Sequence, residues 1–259
     1  MTRILLVTGA SMAVCAVTML VTAYAARRAG RVSVVDVTWG LALTAVALVC
    51  ALLGDGDALR RWLLLGLVAT WGLRLAWHIG RRPVPGGQGH GEDPRYTELL
   101  SSRPGGPLVR VWVPQGAAIW FVSLPVQVSS VAGGGARVVV ALGAALWLVG
   151  VLFESVGDAQ LSAYKRDPGR PPVMDRGLWH YTRHPNYFGD ACVWWGIWLV
   201  AASAWPGVLT VPSPVLMTYF LDFATGAKLL EETMMKRPGY AEYAARTSMF
   251  VPWVPRKHA

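Results

Sequence analysis

The sequence predicts an all-α fold, a polytopic integral membrane helical bundle with about seven crossings of roughly 20 apolar residues each. Three observations predict it. Of 259 residues, 54% are apolar and 15% charged, whereas soluble domains carry about 25% charged residues. The apolar residues gather into long runs, and the basic residues collect in the short gaps on one side. Helices suit such runs because every backbone N–H and C=O pairs within its own segment, where no water is at hand.

The first run is Ile4 to Ala25. Its Ala23-x-Ala25 end has the form cut by signal peptidase, but the run exceeds the roughly 7 to 15 residues of a signal core. Arg27 and Arg28 follow at once, so a retained helix is expected. Val32 to Leu53 is the second crossing and carries Asp36, and Trp62 to His78 is a short third with Arg74. Val111 to Val131 and Val138 to Glu154 follow. The sixth, Tyr187 to Trp205, starts just after Pro185, a residue that fits a helix's first turn and cannot continue a preceding one. The seventh, Leu209 to Leu230, is interrupted by Pro212, Pro214, Asp222 and Lys228.

Lys and Arg concentrate on the cytosolic side of membrane proteins. With the amino terminus outside and the carboxyl terminus in the cytosol, all 24 basic residues except Arg3, Arg60, Arg61 and Arg137 fall on that side. The net charge of +9 is thus an orientation signal, and the expected location is the cell's inner (plasma) membrane. Nucleic acid is excluded as a partner, since the charges are scattered among short loops without a binding motif. Cys15, Cys50 and Cys192 sit in separate apolar runs without ligand spacing and read as small core residues. Gly143 and Gly150 suit close helix packing, within one bundle or between copies.

Ionisable groups at membrane depth cost a few kcal/mol unless paired or wetted, which makes them the place to look for function. Asp36, Arg74, Glu154, Asp158, Asp190, Asp222 and Lys228 are such groups. Glu154 and Asp158 are four apart, as are Asn186 and Asp190, so each pair shares a helix face. Asp222 reads as a carboxylate paired with a neighbouring cation. The helix start at Pro185, with Arg183 and His184 beside it, outlines an anion site. Trp179, Trp194, Trp195 and Trp198 read as an aromatic belt at the headgroups. His180 and His184 are four apart, but Pro185 interrupts any helix through both and no metal site is expected. The glycines of "PGGQGHGED" follow no strand and make no dinucleotide fingerprint.

The runs "FESVGDAQLSAYK", "GLWHYTRHPNYFGDACVWWG" and "RPGYAEYAARTSMFVPW" carry a wider likeness. With "VVDVTWG" at 34–40, "TWGLRLAWHI" at 70–79 and "GEDPRYTEL" at 91–99, the chain resembles the membrane-embedded steroid 5-alpha-reductase-like family, specifically its bacterial DUF1295 branch. The resemblance implies one membrane domain over 1–259, with helices at 4–78 on the substrate side and a cofactor-binding core at 111–259. It implies NADPH as cofactor and hydride transfer to an activated C=C bond of a lipophilic, steroid-like or long-chain substrate. Asn186, Gly189 and Asp190 then take the nicotinamide half, with Asp where the reductases have Glu. Asp158 and Lys165 match the acid and base of the preceding helix, with Lys for Arg. Trp71 and Arg74 stand where the reductases have Tyr and Arg, so the phenol is missing there, and Asp36 becomes the candidate acid. Arg81, Arg82, Asp93, Arg95 and Tyr96 are the residues for a phosphate and adenosine end, a 2'-phosphate needing Arg or Lys, or are simply solvated loop charges. His78, Glu154, Tyr181, Arg183, His184, Tyr187 and Glu231 complete the cofactor side.

A second resemblance stays open. Isoprenylcysteine and phospholipid methyltransferases share an Arg-His-Pro-x-Tyr helix start and a Glu-Glu pair before a Gly-Tyr-x-x-Tyr tail. Arg183, His184, Pro185, Tyr187, Glu231, Glu232 and "GYAEY" at 239–243 match it. That reading implies S-adenosylmethionine and methyl transfer. A scaffold or lipid-binding protein that lost the chemistry is the third class, supported by Trp71. In every case membrane lipids are partners.

Overall fold

The computed structural model describes residues 2–81, 92–102, 105–224 and 226–256, and among these the structure is helical with no strand. Arg82 and the glycine run before Glu92 lie outside the described residues. The chain divides into two compact units, Met1–Val140 with Ala201–Ser213, and Ala141–Val200 with Pro214–Ala259.

In the first unit α1 spans Thr2–Ala29. It buries Val7, Ser11, Cys15, Met19, Thr22 and Ala26, steps of three or four that make one stripe, and exposes Leu5, Leu20 and Val21. Small and polar side chains face inward because apolar tails outside exert no hydrophobic pull on Leu. Ser11 Oγ lies 3.6 Å from Cys50 Sγ, and Thr22 and Thr38 share a 2.8 Å hydroxyl hydrogen bond with the next helix. That helix, α2 (Val35–Leu53), is entered through a 3-10 turn at Val32–Val34. Its neighbour α3 (Ala58–Gly80) starts on Asp57, whose side chain accepts from Arg60 N at 2.8 Å. The two helices touch at glycines: a Cβ on Gly72 would stand 2.5 Å from Gly40 O.

A short α4 (Pro94–Ser101) follows, then a π turn at Leu108–Trp112, α5 (Val113–Val122) and α6 (Leu124–Ser129). The fourth apolar run is therefore broken, with Pro114 and Pro125 opening its two helices. Arg60, one of the four exceptions to the charge rule, is only 2% exposed. Its guanidinium gives hydrogen bonds to Ser129 Oγ at 2.8 Å and to the carbonyls of Ala132 and Gly134. A buried cation is tolerable when hydrogen-bonded on all sides, and here it ties down the 129–135 turn. Gly135 must be glycine there, since its φ is +130° and a Cβ would meet that guanidinium.

In the second unit α7 (Arg137–Arg166) is 30 residues long. At 1.5 Å per residue that is about 45 Å, longer than the ~30 Å hydrocarbon layer. The fifth crossing thus runs on past Glu154, and the helix carries Asp158 and Lys165 beyond the apolar run. A single turn, α8 (Leu178–Tyr181), precedes α9 (Pro185–Ala202), which begins at the proline as the sequence indicates. The seventh run starts in the first unit with a 3-10 turn (Gly207–Thr210) and then breaks into α10 (Pro212–Tyr219), a π turn (Phe220–Ala224) and α11 (Ala227–Met234), and α12 (Tyr240–Arg246) closes the helical part.

Among the described residues five stretches are long and apolar enough to cross a membrane: Thr2–Ala29, Val32–Leu53, Ala58–Gly80, Arg137–Arg166 and Gly207–Met234, with Leu108–Val122 a shorter apolar one. The tryptophan-rich α9 falls short of that hydropathy because indole and its leading polar turn dilute the aliphatic content. The three cysteines are free and buried in the helices, as expected. The chain is an all-helical integral membrane protein.

Candidate functional site

The centre of the second unit is a glycine seam. Gly143, Gly150 and Gly157 are spaced by seven along α7, and Gly189 and Gly196 by seven along α9. A Cβ on Gly143 would stand 2.7 Å from Val200 N, one on Gly150 2.5 Å from Gly189 O, and one on Gly157 3.2 Å from Pro185 Cγ. The helices therefore run antiparallel with backbones touching, the close approach that small residues permit. The seam lies within one bundle.

It also aligns the polar residues. Glu154 is 3% exposed, Asp158 6% and Asp190 7%. Glu154 N is the first atom a Cβ on Gly189 would meet, at 2.6 Å. Asn186 Nδ2 donates to Asp158 Oδ1 at 3.5 Å, the long limit of a hydrogen bond, while Asn186 Oδ1 is buried without a partner among the described residues. The two four-residue spacings therefore converge on one region. A buried amide oxygen without a donor costs about 1–3 kcal/mol, and it invites a ligand that brings an N–H. The carboxamide of a nicotinamide ring is one group that carries such an N–H.

At the start of α9 three donors meet one carboxylate oxygen. Glu231 Oε1 accepts from Arg183 Nε at 3.1 Å and Tyr240 OH at 2.7 Å, and lies 2.8 Å from His184 Nε2, which must carry its proton to bond there. Arg183 Nη1 also donates to the carbonyls of Ala244 at 2.7 Å and Thr247 at 2.9 Å, the open end of α12. Burial first, then the hydrogen bond to Glu231, pushes the Tyr240 phenol well above its ordinary range. Arg183 is thus committed on two edges, and Tyr187 stacks on His184 with ring centroids 5.6 Å apart. Tyr181 is 46% exposed, and Lys165 is exposed at the end of α7.

Two tryptophans correct the aromatic-belt expectation. Trp179 is buried and its indole N–H donates to Gly157 O at 3.0 Å, bracing the end of the seam. Trp194 is fully buried in the protein interior. Asp222, expected to be paired, sits on the π turn, half-buried, with Oδ1 lacking a hydrogen-bond partner among the described residues.

The first unit holds a separate polar cluster. Tyr96 OH donates to Asp36 Oδ1 at 2.5 Å, and Arg95 Nη2 reaches Asp36 Oδ2 at 3.0 Å and Asp93 Oδ2 at 2.9 Å. Asp93 caps α4 by accepting from Arg95 N at 2.9 Å. The sequence assigned Asp36 to acid chemistry and Asp93, Arg95 and Tyr96 to the adenosine end, yet these four side chains form one cluster. Burial, then the Asp36 charge, pushes the Tyr96 phenol well above its usual range, and the bond to Asp93 raises the Arg95 guanidinium further. Glu92 receives the N–H groups of Val32 and Ser33, the latter at 3.0 Å, at the entry to α2. Arg74 and His78 are half-buried one turn apart on α3, and Trp71 is fully buried there. Arg81 lies over the Trp77 ring at 4.1 Å.

The family model described as proteins of unknown function, DUF1295, matches residues 13–247. This chain belongs to the DUF1295 family. No curated protein and no solved structure matches it. Within this DUF1295 chain, sequence reasoning had no assignment for Glu92, and met Tyr240 only as part of a tail motif. The signal for Tyr240 was Gly239, whose φ of +77° opens α12 and turns the phenol toward Glu231. For Glu92 the signal was its place ahead of the Asp-Pro helix start.

Proposed function

We propose that this protein is a membrane reductase that uses NADPH to saturate an activated C=C bond in a lipophilic substrate. The observation that carries the reading is the convergence of Glu154 and Asp158 with Asn186 and Asp190 across the glycine seam, with the Asn186 amide oxygen left for a ligand N–H. Bound there, NADPH would supply the hydride for one carbon of the bond, and a proton would have to reach the other, giving CH–CH and NADP⁺. Asn186 and Asp190 would orient the nicotinamide, and Glu154 and Asp158 would line its side of α7. The exposed Lys165, Arg166 and Arg176 are suited to the phosphates.

In the first unit the single proton of the Tyr96 phenol is donated to Asp36, so Tyr96 does not replace the phenol absent at Trp71. The basic loops support a placement with the cofactor side toward the cytosol.

One observation favours methyl transfer from S-adenosylmethionine instead. Arg183, His184, Glu231 and Tyr240, which carry that resemblance, are joined in one network. Titrating purified protein in lipid nanodiscs with each cofactor separates the two. NADPH is expected to bind, and Asn186→Ala and Asp190→Ala each weaken it about tenfold or more, the ~1.4 kcal/mol of a buried hydrogen bond. Trp198→Ala leaves the affinity nearly unchanged. Binding of S-adenosylmethionine alone would overturn the reductase reading.

A further inference from the structure

The last described residues form an extended strap rather than a loose tail. Thr182 and Ser248 make a parallel bridge, and Arg183 N donates to Ser248 O at 2.9 Å. Thr182 Oγ1 donates to Phe250 O at 2.8 Å, Trp253 N to Tyr181 O at 2.9 Å, and Arg256 N to Arg246 O at 2.9 Å. Phe250 packs inward, edge-on to Phe188 at 6.2 Å between centroids. Pro252 and Pro255 fix two of the backbone angles. The conformational freedom of this segment is already lost before anything binds it.

Yet the pinned strap turns its large apolar side chains outward. Val251 is 58% exposed, Trp253 73% and Val254 72%. From Thr247 to Pro255 no residue carries a charge, and an exposed Arg256 follows at once. Tyr181, 46% exposed, stands beside Trp253 through the main-chain bond between them. A rigid apolar edge with an indole and a phenol, bounded by a cation, matches the zone where acyl chains meet headgroups: the rings bury their bodies, and the guanidinium meets phosphate.

We infer that residues 251–254 form an interfacial anchor seated in the headgroup region of the bilayer. The strap hangs from residues 181–183, so its seating holds the corner that carries Arg183 and His184 against the lipid surface. This conclusion does not depend on which cofactor the protein uses.

Nitroxide labels at Val251→Cys, Trp253→Cys and Val254→Cys test it, since the native Cys15, Cys50 and Cys192 are 2%, 1% and 9% exposed and shielded from the reagent. Each variant goes into nanodiscs of phosphatidylcholine and phosphatidylglycerol holding one copy, and relaxation by oxygen is compared with relaxation by a water-soluble nickel chelate. The oxygen-to-nickel ratio is expected to be several-fold higher at 253 and 254 than at Glu242→Cys, an exposed site on α12. The Val254→Cys protein keeps the indole and guards against a folding defect from its removal. Ratios equal to that of Glu242→Cys would place the strap in water and overturn the proposal. High ratios confined to vesicles with several copies would assign the surface to a second copy and overturn it too.

Discussion

Each unit of the molecule holds a carboxylate with a phenol and an arginine against it, and the two are built differently. In the second unit Glu231 offers one oxygen to Arg183, His184 and Tyr240, with side-chain exposures of 11% for both Glu231 and Arg183. In the first unit Asp36 takes Tyr96 on one oxygen and Arg95 on the other, with side-chain exposures of 24% for Asp36 and 42% for Arg95. The first arrangement is a closed joint, fastening the start of α9 to α11 and α12. The second opens to its surroundings and can exchange partners. A carboxylate cluster is therefore not evidence of chemistry by its composition; its remaining access decides.

The sharpest way to break this contrast is to remove each carboxylate. Glu231→Ala leaves a buried arginine, histidine and phenol without their common acceptor, a loss of about 3–5 kcal/mol. Asp36→Ala strands one buried phenol beside a half-exposed arginine, a loss of about 1–2 kcal/mol. Thermal unfolding in detergent reads both, and equal shifts would erase the distinction.

Next in size is the frame behind the closed joint. Gly150→Ala forces α7 and α9 apart because the new methyl meets backbone, at a cost of about 1–3 kcal/mol. In the first unit Gly66→Ala on α3 meets nothing within 4 Å and gains up to ~1 kcal/mol of helix propensity. Loss of NADPH binding with Gly150→Ala and not with Gly66→Ala would tie the seam to the site.

The smallest effect is in alkaline solution. Tyr96, Tyr240 and Tyr243 are all pushed above the ordinary phenol range, burial being the first cause in each. An unfolded phenol ionises near pH ~10. Above that pH the unfolded chain releases protons that the folded chain keeps, so stability falls as pH rises, by up to ~1.4 kcal/mol per pH unit per tyrosine. Phenolate absorbance should show three of the eight tyrosines silent until unfolding. Tyr240→Phe and Tyr96→Phe should each flatten the fall; a change in only one would mark the other cluster as looser than described.

Much of the fold was legible because bilayer burial writes itself into composition: among the described residues each of the seven apolar runs is largely helical, the fourth and the seventh being broken into shorter pieces. What misled was length read from hydropathy alone, since α7 continues past Glu154 on polar residues that its own backbone bonds still hold helical. Spacing disclosed the Glu154/Asp158 and Asn186/Asp190 faces, and Pro185 disclosed the start of α9. The meeting of Asp36 with Tyr96 was not legible, for 60 residues separate them and no local pattern records a tertiary approach. Trp179 and Trp194 misled for the opposite reason: indole suits both the headgroup zone and a packed interior, and only its neighbours tell which.

The seven-residue interval of the α7 glycines has a consequence for how the protein tolerates change in length. A helix turns about 100° per residue, so one residue inserted between Gly143 and Gly157 would rotate everything beyond it by that angle. The glycines would leave the seam, side chains would be driven into the facing backbone, and Glu154 and Asp158 would swing off the face of Asn186. Point changes on the lipid side of the same helix carry no such penalty. The interval acts as a vernier, in which the count of residues, more than their chemistry, sets the site in register.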